Sequence, residues 1–203
     1  MTLQEYNANV WAFYLRLEND FINSLNYVHF ESDNFSTYSI EFERLLLSIG
    51  SEVDVLCKLL CKEINPLQSP SNIFQYATIL CNFGDFTSTK VRFERTGLEV
   101  SPFSGLTTQD SPHWWQAYNK VKHNRTEKEH YKKGNLENVF TALAALYMLN
   151  RYYCKKIAPS RLNNEPNPRS ALFNIVGWQV NIPIGNGFFQ VLRTSGSMGI
   201  EHE

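Results

Sequence analysis

Phe42–Ile64 reads FERLLLSIGSEVDVLCKLLCKEI. Its apolar side chains at Phe42, Leu45, Leu46, Ile49, Val53, Leu56, Leu60 and Ile64 recur at three- and four-residue spacing, which lays one stripe along a helix. Glu43, Gly50, Asp54, Lys58 and Lys62 point mostly the other way, and Asp54, Lys58 and Lys62 form an i,i+4 ladder of the kind found on a solvated face. Glu52 lies roughly 80° from the middle of the stripe at about 100° per residue, so it sits at the core boundary, where a carboxylate usually has a partner. Arg125 or a lysine of the bundle is the expected one. Asn65-Pro66 stops the helix, because the residue before a proline is pushed out of the helical region. Ser36 or Thr37 is expected to cap its start, with Glu41 and Glu43 near the positive end of the helix dipole.

One long amphipathic helix needs others to cover it, and the chain supplies them. Val10, Phe13, Tyr14, Leu17, Phe21, Leu25 and Val28 predict a first helix over Leu3–Val28. Ser69-Pro70 opens a short helix over Asn72–Cys81, with proline in its first turn. Asp110-Ser111-Pro112 is a capping side chain followed by proline at the first helical position, and the helix it begins loosens between Arg125 and Gly134. Asn135–Ile157 is apolar on most sides, which predicts a helix at the centre of the bundle. Between Thr87 and Phe103, Val91 and Phe93 alternate with Lys90, Arg92 and Glu94, and Leu98 and Val100 follow Thr96-Gly97, the pattern of a small β-hairpin.

Beyond Pro159, Asn163–Arg169 has the composition of an exposed linker, Phe173–Pro183 and Phe188–Leu192 suit strands around Gly185-Asn186-Gly187, and the last ten residues suit a frayed end. The expected fold is mainly α: a helical bundle over 1–158 with a β-hairpin insert at about 87–103. Residues 159–203 then form a short irregular or β extension, packed on the bundle or partly flexible.

The chain has 203 residues, enough for one substantial core but cramped for two domains. A formal net charge of -1 argues against coating nucleic acid by overall charge, so any such binding needs a local patch. The opening MTLQEYNANVW lacks the basic start and apolar run of a secretory signal, and no segment is long enough to span a bilayer, so a cytoplasmic location is expected. Cys57, Cys61, Cys81 and Cys154 form no CxxC pair and are expected as free thiols, without structural zinc. His29, His113, His123, His130 and His202 make no HExxH or comparable ligand cluster, and no GxSxG elbow occurs. No metal or cofactor is expected.

The chemistry is concentrated in Trp114–Arg125, WWQAYNKVKHNR. On a helix, Trp115, Asn119 and His123 form one ladder and Trp114, Tyr118, Val121 and Arg125 another, with Ala117 beside it. The second suits the core, and the first would border a groove. Between positions 120 and 133, Lys120, Lys122, Arg125, Lys128, Lys132 and Lys133 oppose only Glu127 and Glu129, a local charge of +4. Such a patch suits an anionic partner, and aromatic rings beside it suit a stacked base.

WWQAYNKVKHNR, preceded by FERLLLSIGSEVDVLCKLLCKEI and followed by NLENVFTALAALYML, resembles bacterial helical proteins of the HEPN (higher eukaryotes and prokaryotes nucleotide-binding) superfamily, over roughly Ser39–Ile157. The resemblance implies a helical homodimer and, for many members, a metal-independent ribonuclease of toxin–antitoxin, phage-defence or CRISPR-linked systems, with an antitoxin protein as a partner. Other members are catalytically silent scaffolds that bind a nucleotide or a protein. The superfamily signature is an Arg followed after four to six residues by a His. Arg125-Thr126-Glu127-Lys128-Glu129-His130 meets that spacing, whereas His123 has Asn119 upstream and no Arg.

The expected catalytic set is His123 with Asn119 and Arg125, and His130 as the substitute. Lys120, Lys122, Trp115 and Tyr118 are expected to bind substrate, although tryptophans in such a helix, and Tyr118, more often serve as packing anchors, and Glu52 supports the site. RNA carries its own nucleophile, the 2′-hydroxyl; a histidine near neutrality can take that proton or protonate the departing 5′-oxygen. A guanidinium stabilises the extra charge on five-coordinate phosphorus, and an amide orients phosphate or imidazole.

Overall fold

A computed structural model describes residues 1–158, 166–184 and 187–192. The first helix, α1, is α-helical over Leu3–Tyr6, π-helical over Asn7–Trp11 and α-helical again over Ala12–Ser24. Thr2 and Glu5 cap it reciprocally. It ends four residues short of the expected Val28. With the wide π turn, Trp11 faces inward and stacks on Tyr14 at 4.5 Å, while Phe13, expected in the stripe, is largely exposed.

Helix α2 spans Ile40–Ile64 and is capped by Ser39, whose Oγ accepts from the Phe42 amide at 3.1 Å. Ser36 and Thr37 do not cap it. Instead Ser36 lies in a turn, Tyr38 bridges to Asn135, and the Leu136 amide donates to the Thr37 carbonyl at 3.0 Å. Helix α3 spans Ile73–Leu80 and starts from Asn72, whose Oδ1 accepts from the Phe74 and Gln75 amides; Pro70 precedes the cap rather than sitting in the first turn. Helix α4 covers His113–Asn124 and α5 covers Leu136–Ile157, capped by Asn135.

The Tyr38–Asn135 bridge starts α2 and α5 from the same end, so the two run parallel. Helix α1 runs against α5: its Phe21, Tyr14 and Tyr6 rings meet Phe140, Tyr147 and Tyr153 in turn. Helix α4 runs against α2, with Tyr118 on Gly50 and Arg125 beside Glu43. As its composition predicts, α5 is buried on almost every side and forms the axis of the bundle.

The insert forms strands β1 (Val91–Phe93) and β2 (Glu99–Val100), antiparallel as expected. Strand β3 (Phe173–Ile175) of the C-terminal extension adds to the free edge of β1, giving the order β2-β1-β3. Phe93 sits 5.3 Å from Phe140 and 4.6 Å from Phe30, which fastens the sheet to the bundle. Strands β4 (Gln179–Ile184) and β5 (Gly187–Leu192) pair as a separate antiparallel hairpin.

The extension is held by a buried carboxylate that the sequence did not flag. Glu18 accepts from Tyr14 Oη (2.8 Å), Ser170 Oγ and the amides of Ala171 (3.0 Å) and Leu172 (3.3 Å). Trp11 Nε1 also donates to the Pro168 carbonyl at 2.7 Å. Of the expected linker, Asn167 and Pro168 are exposed but Pro166 is buried, and 163–165 lie outside the described residues, as do the last ten. Cys57, Cys61 and Cys154 are buried and Cys81 is half-buried. Burial pushes the Cys61 thiol up to about 12 and also raises the Cys57 thiol well above its usual range. Among the described residues, no helix is long and apolar enough to cross a membrane.

Candidate functional site

Helix α4 presents the cluster, and its sequence divides cleanly into an anchored and an open side. Trp114, Trp115, Ala117, Tyr118 and Val121 are buried. Trp114 Nε1 donates to the Pro102 carbonyl at 2.7 Å, and its ring meets Phe103 edge-on. Trp115, expected to border a groove, is only 6% exposed, packed perpendicular to Trp114 and against Tyr118. Tyr118, also proposed as a substrate contact, is 3% exposed. Its ring lies over Gly50, where an added Cβ would come within 2.4 Å of Tyr118 Cδ2. Both rings are packing anchors: Tyr118 covers the α2 surface that Gly50 leaves bare, and Trp115 packs behind it.

Gly50 and Glu43, expected to point to solvent, are both buried and mark the edge of α2 against which α4 and the 134 region pack. The helix start is also built differently from expectation. Pro112 takes the capping position, and the Asp110 carboxylate turns back on its own chain, accepting from the Ser111 amide (2.7 Å) and Gln116 Nε2 (3.1 Å).

The open side carries Lys120, Lys122 and His123, all exposed, and Asn119, half-buried. Lys122 Nζ lies 5.4 Å from the centre of the Tyr118 ring. His123 makes no hydrogen bond among the described residues. After Asn124 the chain turns sharply through Lys128 (φ 45°) and Glu129 (φ 58°), left-handed conformations that are uncommon outside glycine. The turn is closed by the His130 amide on the Glu127 carbonyl (2.9 Å) and the Tyr131 amide on the Arg125 carbonyl (3.1 Å), then continues as a 3₁₀ turn over His130–Lys133.

This turn brings His130 back under the end of α4, with Nδ1 at 3.1 Å from the Asn124 carbonyl. A carbonyl only accepts, so Nδ1 carries the hydrogen and Nε2 is the basic nitrogen of the neutral ring. The same contact fills one of the orphan carbonyls at the helix end, so it also serves as a cap.

Arg125 Nε stands 3.9 Å from Glu43 Oε2. The expected Glu52–Arg125 pair is therefore replaced by Glu43–Arg125. Two residues along a helix is a rotation of about 200°, so Glu52 leaves α2 on the opposite edge from Gly50 and α4. Glu52 has no partner among the described residues, and burial raises its carboxyl above the usual range.

Glu43 is pressed against Gly134, where a Cβ would come within 2.4 Å of Glu43 Cγ and 2.8 Å of its Cα. Only glycine permits that approach, which fixes the turn to the start of α2. Two aromatic residues that sequence reasoning missed join the cluster here. Tyr131 meets Tyr38 edge-on at 5.7 Å, and Lys132 Nζ lies 5.9 Å from the Tyr38 ring centre while pairing with Glu129 at 2.7 Å. Tyr38 stands far from the motif in sequence, and no local pattern links it to the turn.

An open cleft of about 560 Å³ lies elsewhere, between α1 and the start of α2, lined by Arg16, Asp20, Tyr27, Glu41 and Arg44. Arg44 spans it, bonding Asp20 at 2.9 Å and also Glu41, and none of the sequence-selected residues lines it. Among the described residues, no group of three or more His, Cys, Asp or Glu side chains could hold a metal ion.

Compared with protein-family models, curated proteins and solved structures, the chain gives no match. The site therefore has to be read from its own chemistry.

Proposed function

We propose that the end of the molecule formed by α4, the 125–134 turn and Tyr38 binds RNA and cleaves it by metal-independent transesterification. The observation that carries this is the His130–Asn124 contact, which holds an imidazole, with Nε2 as its basic nitrogen, at the end of α4, within the segment where the sequence concentrates positive charge. His130 thus replaces His123 as the preferred base, and the spacing from Arg125 is the one the HEPN resemblance implies. His130 Nε2 would take the 2′-hydroxyl proton as the 2′-oxygen bonds to phosphorus. The bond from phosphorus to the 5′-oxygen then breaks, and that oxygen takes a proton from a second imidazole, His123 or the His130 of a second copy. Arg125, with Lys120 and Lys122, would neutralise the pentacoordinate phosphate. The products are a 2′,3′-cyclic phosphate and a 5′-hydroxyl. A homodimer with facing sites and an antitoxin partner, in the cytoplasm, complete this proposal as the resemblance implies them.

The test is incubation of pure protein with RNA in EDTA, followed by analysis of the product ends. Cyclic-phosphate products that His130→Ala abolishes are expected. Absence of cleavage by the native chain, or cleavage untouched by both His130→Ala and His123→Ala, would remove the enzymatic proposal. A second reading, a silent nucleotide-binding scaffold, is favoured by the proximity of Arg125 to Glu43, which ties the guanidinium to packing. A nucleotide retained in native mass spectrometry without RNA turnover would select it.

A further inference from the structure

Resting on the proposed RNA-binding role, we infer that Tyr38 is a base-stacking platform and that the site accepts single-stranded RNA rather than duplex. Tyr38 is 45% exposed, yet its backbone is fixed by the bridge to Asn135 and by the Thr37 carbonyl that accepts from Leu136. Its ring is braced edge-on by Tyr131, whose own amide is bonded to the Arg125 carbonyl. One hydrogen bond and one ring contact thus join the platform to the residue that would meet the phosphate. An exposed ring held in this way loses little freedom when a base lies on it, unlike a tyrosine on a mobile loop.

The charge around the ring matches a nucleotide. Lys132, paired with Glu129, has its Nζ 5.9 Å from the Tyr38 ring centre, Lys133 and His130 belong to the same 3₁₀ turn, and Arg125, near Glu43, follows the exposed Lys120 and Lys122 of α4. A base on Tyr38 would leave its flanking phosphates among these cations. Trp115 and Tyr118 cannot serve, because both are buried. In a duplex every base is already stacked and paired, so its π-face is closed to the ring. An unpaired strand presents it.

Fluorescence anisotropy with a labelled single-stranded RNA ten-mer and the matching duplex tests this on the full chain, with native protein, Tyr38→Ala, Tyr38→Phe and Lys120→Ala/Lys122→Ala. Circular dichroism first verifies that each variant is folded. Native protein should prefer the single strand. Tyr38→Ala should weaken that binding roughly 5- to 150-fold, the loss of one stacked base, with an unchanged salt slope. Tyr38→Phe should bind like native protein, because stacking needs the ring and not the hydroxyl. The double lysine variant should lower the salt slope for both ligands.

Native binding that Tyr38→Ala leaves within twofold, or an equal loss for duplex and single strand, would overturn the platform while leaving the RNA-binding proposal standing. A native chain that binds neither ligand would remove both.

Discussion

Gly50→Ala should destabilise the protein, and the same substitution should stabilise it once Tyr118 is removed. The added Cβ would meet Cδ2, Cε2 and Cγ of the Tyr118 ring at 2.4 to 2.6 Å, well inside van der Waals contact. The ring cannot simply swing aside, because Trp115 packs on it at 5.1 Å and it is itself buried. Overpacking of this kind costs about 1–3 kcal/mol. Against it, alanine is better than glycine inside a helix by about 1 kcal/mol. The net effect in the native background is a loss of up to about 2 kcal/mol.

In a Tyr118→Ala background the clash is gone and only the helix preference remains, so Gly50→Ala should add about 1 kcal/mol. The four proteins form a double-mutant cycle whose coupling should be about 1–3 kcal/mol, the overpacking term itself. Urea unfolding followed by circular dichroism measures it. A Gly50→Ala variant that is more stable than native protein, or that shifts stability equally in both backgrounds, would refute the account of how α4 is seated. The seating bears on function, since the open face of α4 is aimed only as well as its buried face is held.

Glu18→Gln should lower stability by about 2–3 kcal/mol, because hydrogen bonds to a buried charge are worth about 1.5–3 kcal/mol each. Tyr14 Oη and the Leu172 amide retain Ser170 Oγ as a partner, which limits the loss. Faster amide exchange at Leu172 and Phe173 should accompany it, and a change below about 0.5 kcal/mol would contradict the role of Glu18 as the anchor of the extension. Glu52→Gln should raise the melting temperature at neutral pH. The folded carboxyl titrates above its unfolded value, so the native state binds the extra proton, and stability is lost as pH rises from about 4.3 through the raised folded value. A melting curve series in which native and Glu52→Gln proteins differ equally at every pH would rule this out.

Much of the architecture was legible in the sequence, because each helix carries its own periodicity, and α2, α5 and the β1–β2 hairpin lie close to where their patterns put them. The boundaries moved where a competing partner existed. Thr37 and Tyr38 could have opened α2 but pair with the start of α5, and Asp110 could have capped α4 but bonds Gln116. The site was legible only in part. Asn119 and His123 lie on the open face of α4 as their ladder implied, whereas Trp115 of the same ladder is buried, since the apolar side of α4 is wider than a single ladder; Tyr118 packs as its own ladder implied and is closed to substrate.

The sequence by itself determined the helical class, the central place of α5 and the concentration of positive charge between Lys120 and Lys133, since these depend on composition and spacing within one segment. Tertiary structure alone decided that Glu43 rather than Glu52 stands by Arg125, that His130 turns its Nδ1 to the end of α4, and that Tyr38 joins them. Those contacts depend on which edge of α2 faces α4 and on how closely Gly50 and Gly134 let backbones and rings approach. Helical periodicity says which residues share a face, but not which neighbour that face will meet.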